Sequence, residues 1–337
     1  MKLNALLILK PNPLSPIASW PSAGCLFTIG LLLALALPRT ALGSENVPHQ
    51  PYGDWANVPK EGEFTFGLRY DQSSSYHIWA SGKQYDVKVT SGGEYYGIDN
   101  TQGYVTLQYG ITERWAADLG IGYATEGWRK FSANNSPQST GGLMDSALGV
   151  RYQLFNEANA ESPWTPTLTF RAGAVLPGTY DQSFIYAPGN RSAAIEPELI
   201  ARKHFGWPGL GAYGDVLYRW NMTTANDLYI ASVGLFQQIK GWEVDVGYQR
   251  LQTTTGNDIV YDPNNPSGII YPRDPREIRD VVQAGFSYIT RKQGIKYGFN
   301  TSIVVDGNNS DAKFWLGATV EFRFGGKKSG DAASTTK

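Results

Sequence analysis

Val105, Leu107, Tyr109 and Ile111 alternate with Tyr104, Thr106, Gln108 and Gly110 along one stretch of the chain. After the polar turn Thr112–Arg114, Trp115, Ala117, Leu119, Ile121 and Tyr123 alternate with Ala116, Asp118, Gly120 and Gly122. A side-chain period of two marks a strand, and two such runs joined by so short a turn predict an antiparallel hairpin. One face is apolar and ends in aromatics. The other carries Asp, Gln, Thr and bare Gly.

The pattern recurs along the chain and predicts twelve strands. Strand one is Glu63–Asp71, and strands two and three are the hairpin. Strands four to six are Leu143–Leu154, Thr165–Leu176 and Ala193–Phe205. Strands seven to nine are Gly211–Trp220, Leu228–Ile239 and Trp242–Leu251. Strands ten to twelve are Asp280–Ile289, Ile295–Asp306 and Lys313–Phe324. In strand four, Met144, Ser146, Leu148, Val150, Tyr152 and Leu154 are expected outward. Pro197 in strand six cannot donate to a ladder and predicts a bulge or a kink. Connections after even-numbered strands are short, such as Lys240–Gly241. Those after odd-numbered strands are on average longer, as in Gln72–Thr101 and Gln252–Arg279. That asymmetry matches periplasmic turns and extracellular loops, with both termini periplasmic. The predicted fold is all-β: a transmembrane antiparallel up-and-down β-barrel of about twelve strands. The alternative is fourteen, if Gln72–Thr101 holds a further hairpin.

Export signals fit that architecture. Lys2 and Lys10 precede an apolar run from Cys25 to Pro38, followed by Ala41-Leu42-Gly43. This is the pattern of a secretory signal peptide cleaved after Gly43. The run is too short to span a bilayer as a helix. Ser22-Ala23-Gly24-Cys25 is rejected as a lipoprotein box because the apolar run follows the cysteine. Cys25 is the only cysteine, so the chain after the leader has no thiol chemistry. It carries 26 Lys+Arg against 30 Asp+Glu, a balance that points away from nucleic acid. The expected organisation is signal peptide 1–43, irregular periplasmic lead-in 44–61, barrel 62–325 and disordered polar tail 326–337. A plug role for the proline-containing lead-in is the lesser alternative. The alternating aromatics of Lys313–Phe324 look like a C-terminal insertion signal, making the barrel-insertion machinery and outer-membrane lipid expected partners.

Three segments in order resemble one family, the outer-membrane barrels of the MetA-pathway of phenol degradation. They are Tyr109-Gly110-Ile111-Thr112-Glu113-Arg114-Trp115 with its glycine-rich continuation to Tyr123, then Gly142–Tyr152 in the form G-x-x-D-x-x-L-G-x-R-Y, then Thr169–Gly178 ending in a Leu-Pro-Gly corner. The corner lacks the threonine of the family's Leu-Pro-Thr-Gly form. The resemblance covers about Tyr104–Gly178 and implies an outer-membrane barrel that moves small molecules, among them aromatic ones.

Strand parity sends charges of both signs inward. The lumen-lining candidates are Arg69, Asp118, Asp145, Arg151, Arg171, Glu196, Glu198, Arg202, Asp215, Arg219, Glu243, Asp245, Lys296, Asp306, Glu321 and Arg323. A charge facing lipid near the midplane costs about 2–4 kcal/mol, so charges inside a barrel are expected. They predict either an internal salt-bridge network or a polar channel lining. Loop aromatics Tyr76, Trp79, Tyr95, Tyr96, Trp128, Tyr261 and Tyr271 are candidates for an extracellular solute-capture site, with a headgroup-level rim as the plain alternative.

Enzyme chemistry finds no support. His49, His77 and His204 have no matching serine constellation. Asp306–Asp311 has the composition of a turn more than of a calcium loop. No cofactor or metal is expected. The function expected is an outer-membrane channel or transporter for small molecules, apolar or aromatic compounds included. The alternatives are a polar-solute porin and a structural or adhesive surface barrel.

Overall fold

The computed structural model describes residues 53–80, 82–86, 97–129, 139–180, 188–223, 225–258, 260–261, 269–270, 276–290 and 294–326. The leader and the tail beyond residue 326 lie outside them.

Twelve antiparallel strands form the wall, each beside its neighbours in sequence. Strands one to three are Glu63–Ala80, Gly97–Gly110 and Trp115–Arg129. Strand four is in two pieces, Ser139–Leu143 and Ser146–Phe155. Strands five to eight are Thr167–Leu176, Ala194–His204, Leu210–Asn221 and Leu228–Ile239. Strands nine to twelve are Trp242–Thr253, Ile278–Ile289, Lys296–Asn308 and Ser310–Gly325. Strand twelve pairs with strand one, Phe64 opposite Phe324 and Leu68 opposite Val320, so the sheet closes. Closure leaves no strand edge inside the bilayer, where unpaired backbone groups cannot be satisfied. Lys83–Asp86 folds back on the end of strand one and makes no further wall hairpin. Val260–Tyr261 pairs with Ile269–Ile270 in the loop after strand nine.

The outward face is an apolar band, with Leu119, Leu148, Val216, Val233, Leu235 and Phe299 exposed along it. Aromatic pairs mark its margin at the short-turn end, the periplasmic end in the expected orientation. Trp115 lies 4.7 Å from Tyr152, Trp242 lies 4.4 Å from Tyr288, and Phe64 stacks on Phe324 at 5.6 Å. Rows of aromatics at headgroup level flank an apolar band in barrels that cross a membrane.

Two bulges overturn local expectations. Between the pairs Tyr123–Leu143 and Gly120–Ala147, strand four holds one residue more than strand three. The backbone N–H of Met144 donates to Gly122 at 2.8 Å across this bulge. Met144, expected to face lipid, is therefore turned inside and fully buried against Tyr104 and Ala124. A second bulge lies where Asp280 opposes Asp306 but Val281 opposes Val304. It leaves both Val305 and Asp306 exposed, so Asp306 does not face inward as parity predicts. Pro197 behaves more mildly than expected. Strand six skips partners in strand seven between Ile195–Trp220 and Glu198–Leu217, but the register is kept.

The segment before strand one does not stay outside. A single 3-10 turn, Gly53–Ala56, sits within the barrel against strands five, six and seven. Trp55 and Ala56 are buried there and pack on Ile200. The chain leaves over the lip of strand two, where a Cβ on Gly110 would stand 2.0 Å from the Lys60 carbonyl oxygen. Only glycine permits that approach.

The lipid-facing assignment is testable at Val216. Val216→Arg should cost about 2–4 kcal/mol, measured by urea-dependent folding into lipid vesicles. A cost under about 1 kcal/mol would place this residue off the bilayer midplane.

Candidate functional site: the barrel lumen

Inward positions recur every second residue, and the wall brings the predicted charges together. Arg151 and Arg171 stand directly opposite each other on strands four and five. Like charges opposite one another repel. Asp118 on strand three resolves this: Arg171 donates to it from Nη2 at 2.8 Å and from Nε at 3.0 Å, and Arg151 Nε lies 3.5 Å away. Arg171 also reaches Glu196 at 3.5 Å and Glu198 at 3.6 Å, and Glu196 accepts from Arg219 Nε at 2.7 Å. The network spans strands three to seven.

Glycine makes the room for it. A Cβ on Gly149 or Gly173 would come within 2.7 Å or 2.5 Å of the Arg171 side chain. The guanidinium lies flat along the wall in that niche. Tyr213 uses Gly234 and Gly247 in the same way on the facing wall. The inward glycines therefore accommodate neighbouring side chains and do not widen a pore. Arg151 is 0% exposed and Arg171 2%. Arg69, Asp118, Glu196, Glu198, Arg202, Asp215, Arg219, Glu243, Asp245 and Lys296 are buried too.

Other candidates fall differently. Arg69 pairs with Asp71 at 2.5 Å, and Asp71 accepts from Asn300 Nδ2 at 2.7 Å. Arg202 pairs with Glu243 at 2.6 Å and lies 3.8 Å over the Phe236 ring. Glu321 and Arg323 pair at 2.8 Å at the periplasmic mouth, where Arg323 is exposed. Asp145, at the strand-four bulge, binds a loop. It accepts from the Gly178 backbone at 2.6 Å, the Tyr180 hydroxyl at 2.9 Å and the Arg191 backbone at 3.1 Å. The Asp of G-x-x-D thus holds the glycine of the Leu-Pro-Gly corner.

Among the loop aromatics, Tyr76 is exposed, while Trp79 packs against a buried cluster of Val281, Val304 and Trp315. Tyr95, Tyr96 and Tyr271 lie outside the described residues, as do the side chains of Trp128 and Tyr261.

Parity would have added several residues, Asp71 and Gln108 within the predicted strands and Glu126 beyond one. Asp71 follows Arg69 by two, and Gln108 follows Thr106 by two. Glu126 lies past the predicted end of strand three. It receives Lys313 Nζ at 3.3 Å, and Lys313 also pairs with Asp311. Asp311 had the composition of a turn residue.

The lumen also has apolar wall. Leu217, Leu228, Ile230 and Leu251, from strands seven, eight and nine, form one buried cluster toward the extracellular side. Val281, Val304 and Trp315 form a second, separate cluster on strands ten to twelve, and buried Arg279 stands opposite Leu251 between the two.

Trp55 and Ala56 fill the lumen beside the ion network. Arg151 Nη1 donates to the Trp55 carbonyl at 3.1 Å. Gln153 Nε2 and Thr169 Oγ1 donate to the Ala56 carbonyl at 3.0 Å and 2.6 Å. The Arg151 guanidinium stands 4.8 Å from the indole centroid and that of Arg171 5.8 Å, within cation–π range. Below the segment, a cavity of about 300 Å³ opens at the periplasmic mouth, lined by Trp55, Lys60, Gln108, Arg202, Glu243 and Lys296 among others.

Outside the membrane-spanning strands, Glu157 on the turn after strand four accepts from Lys203 Nζ at 2.7 Å and from the His204 backbone at 3.0 Å. Partial burial pushes its carboxyl up, but these hydrogen bonds outweigh it and hold the pKa below the ordinary value. Such a contact contributes at neutral pH and is lost as pH falls through the depressed pKa.

A solved structure shares the fold. The COG4313 outer membrane channel from Pseudomonas putida F1 matches with a TM-score of 0.61 at 14% identity, covering 81% of this chain and 99% of that one. The chain has an outer-membrane barrel fold. Looser matches include the translocator domain of autotransporter NalP from Neisseria meningitidis, at 13% identity and a TM-score of 0.44, covering 80% of this chain and 91% of that one. The CymD monoaromatic hydrocarbon channel matches at 10% identity and a TM-score of 0.40, covering 80% of this chain and 91% of that one. No protein-family model matches the chain, and no curated protein matches its sequence.

Breaking one partner of a buried ion network leaves a buried charge uncompensated. Asp118→Asn should therefore destabilise the barrel by about 3–5 kcal/mol in urea unfolding, and the double change Asp118→Leu with Arg171→Met by much less. Equal losses for the two would show that the charges are solvated.

Proposed function

We propose that this protein is an outer-membrane channel for small apolar or aromatic molecules, closed in the described state by its own N-terminal segment. The observation that carries the proposal is the pair of apolar clusters on the inner wall, Leu217, Leu228, Ile230 and Leu251 in one and Val281, Val304 and Trp315 in the other. A barrel that only shields its backbone from lipid needs no such surface inside. A solute with little polar surface loses no hydrogen bonds with water by lying against it, whereas a sugar does. The burial of Arg151, Arg171 and Arg219 weighs against the polar-solute porin, because a wide wet pore leaves its lining charges accessible to water. The resemblance of Tyr104–Gly178 to the MetA-pathway barrels points the same way.

On this proposal the apolar clusters, as closely buried in the described state as the arginines, open to solute when Trp55 and Ala56 withdraw, and solute leaves through the periplasmic cavity. Liposomes carrying the chain from Ser44 onward should take up toluene faster than protein-free liposomes and exclude maltose. Removing residues 44–58 should speed toluene uptake several-fold. Leu228→Asn with Leu251→Asn should slow it while the barrel still folds. Maltose uptake at the rate of an open porin would overturn the proposal, and so would toluene uptake indifferent to both changes.

A further inference from the structure

The Trp55–Ala56 segment is held by its backbone and by one ring face. Three donors, Arg151 Nη1, Gln153 Nε2 and Thr169 Oγ1, converge on two carbonyl oxygens. Two guanidiniums lie against the indole, and Ile200 packs on the segment. The indole N–H, in contrast, is buried without a hydrogen-bond acceptor among the described residues. The surroundings satisfy a flat ring and an oxygen acceptor, but nothing answers the one polar atom that makes this ring an indole.

The donors do not depend on the segment for their placement. Arg171 is fixed by its two bonds to Asp118 and by the niche over Gly149 and Gly173. Arg151 is fixed by Gln108 Oε1 at 2.6 Å and by Asp118. Gln153 and Thr169 face each other across the strand four–strand five ladder. A site preorganised in this way keeps its shape when its occupant leaves, which lowers the cost of binding the next one. Asp118, Glu196 and Glu198 balance the nearby arginines, so the site does not attract anions in general. It selects a ring that carries an acceptor at one edge.

We propose that this cradle is a binding site for a small planar aromatic molecule bearing a carboxylate or carbonyl oxygen, and that Trp55–Ala56 occupies it in cis until such a molecule displaces the segment. The ring lies over the Arg151 and Arg171 guanidiniums, and the oxygen takes the donors that now hold the two backbone carbonyls. The 300 Å³ cavity beside Trp55 leaves room on the periplasmic side for the displaced segment. The proposal deepens the channel assignment and rests on it for its role in transport, but binding is measurable without transport.

The test is isothermal titration of the refolded chain from Ser44 onward, in detergent, with benzoate and with cyclohexanecarboxylate. The two probes share charge and carboxylate, and only benzoate has a ring face. Trp55→Ala should bind benzoate about tenfold more tightly than the unaltered chain, because the competing ring is gone and the segment is left on its carbonyl bonds alone. Cyclohexanecarboxylate should bind Trp55→Ala about tenfold more weakly than benzoate does. Adding Gln153→Leu and Thr169→Val to Trp55→Ala should remove the gain. Equal benzoate affinity with and without Trp55, or equal affinity for the two probes, overturns the site. If Trp55→Ala does not fold, limited proteolysis of the unaltered chain decides. Saturating benzoate should expose the bonds between residues 53 and 58 to protease, and unchanged protection overturns the site. Toluene uptake without benzoate displacement would sink this site and leave the channel standing. Benzoate displacement without any uptake would do the reverse.

Discussion

Every other feature of this molecule depends on the hydrogen-bonded closure of strand twelve on strand one. Within hydrocarbon an unpaired N–H or C=O has no water to turn to, so a sheet is admissible only as a closed ladder. The register Phe64–Phe324, Phe66–Phe322 and Leu68–Val320 supplies it, and paired rings at the seam, one pair stacked and one tilted, reinforce it from outside. Closure then dictates the rest. With a period of two, each outward apolar residue forces its neighbours inward, and the charges the lipid rejects are gathered into one narrow space.

Once gathered, those charges must be matched. Arg151 opposite Arg171 is an unfavourable pair taken alone, and Asp118 makes it tolerable. A buried ion network of this kind adds little stability over an apolar filling of the same volume. Here it positions donors instead. Asp118 and the two glycines fix where the guanidiniums lie, and the backbone carbonyls of Trp55 and Ala56 fall where the remaining donors point. The interior is ordered from the wall inward, and the N-terminal segment comes last.

Architecture was legible because it rests on period and on loop length. Strand eight runs Leu228–Ile239 as its alternation predicts, and the short turns fall after even-numbered strands. Met144 and Asp306 failed for one physical reason. A bulge inserts a single residue and reverses parity beyond it, and it arises from pairing between strands that no single run of residues displays. Asp145 had the right chemistry and the wrong partner, since its partner is the backbone of a corner brought alongside by the fold. The lumenal place of Trp55 was harder still. The wall recognises that segment mainly through main-chain carbonyls, which leave no pattern in side chains. Its only trace was a tryptophan in a proline-rich, polar stretch.

The way the segment is held also bears on how a barrel of this kind opens. Its anchors are three hydrogen bonds to carbonyls and a ring face, set beside arginines already paired with Asp118. Withdrawal therefore exposes donors without breaking an ion pair, and Asp118 keeps both arginines in place. Had Trp55 been held by a salt bridge, its departure would have stranded a buried charge, and the closed state would have been far harder to leave. A neutral plug on a preorganised wall can give way to a solute of the same shape while the wall itself stays still. The barrel can remain rigid because the part that must move contributes no strand to it.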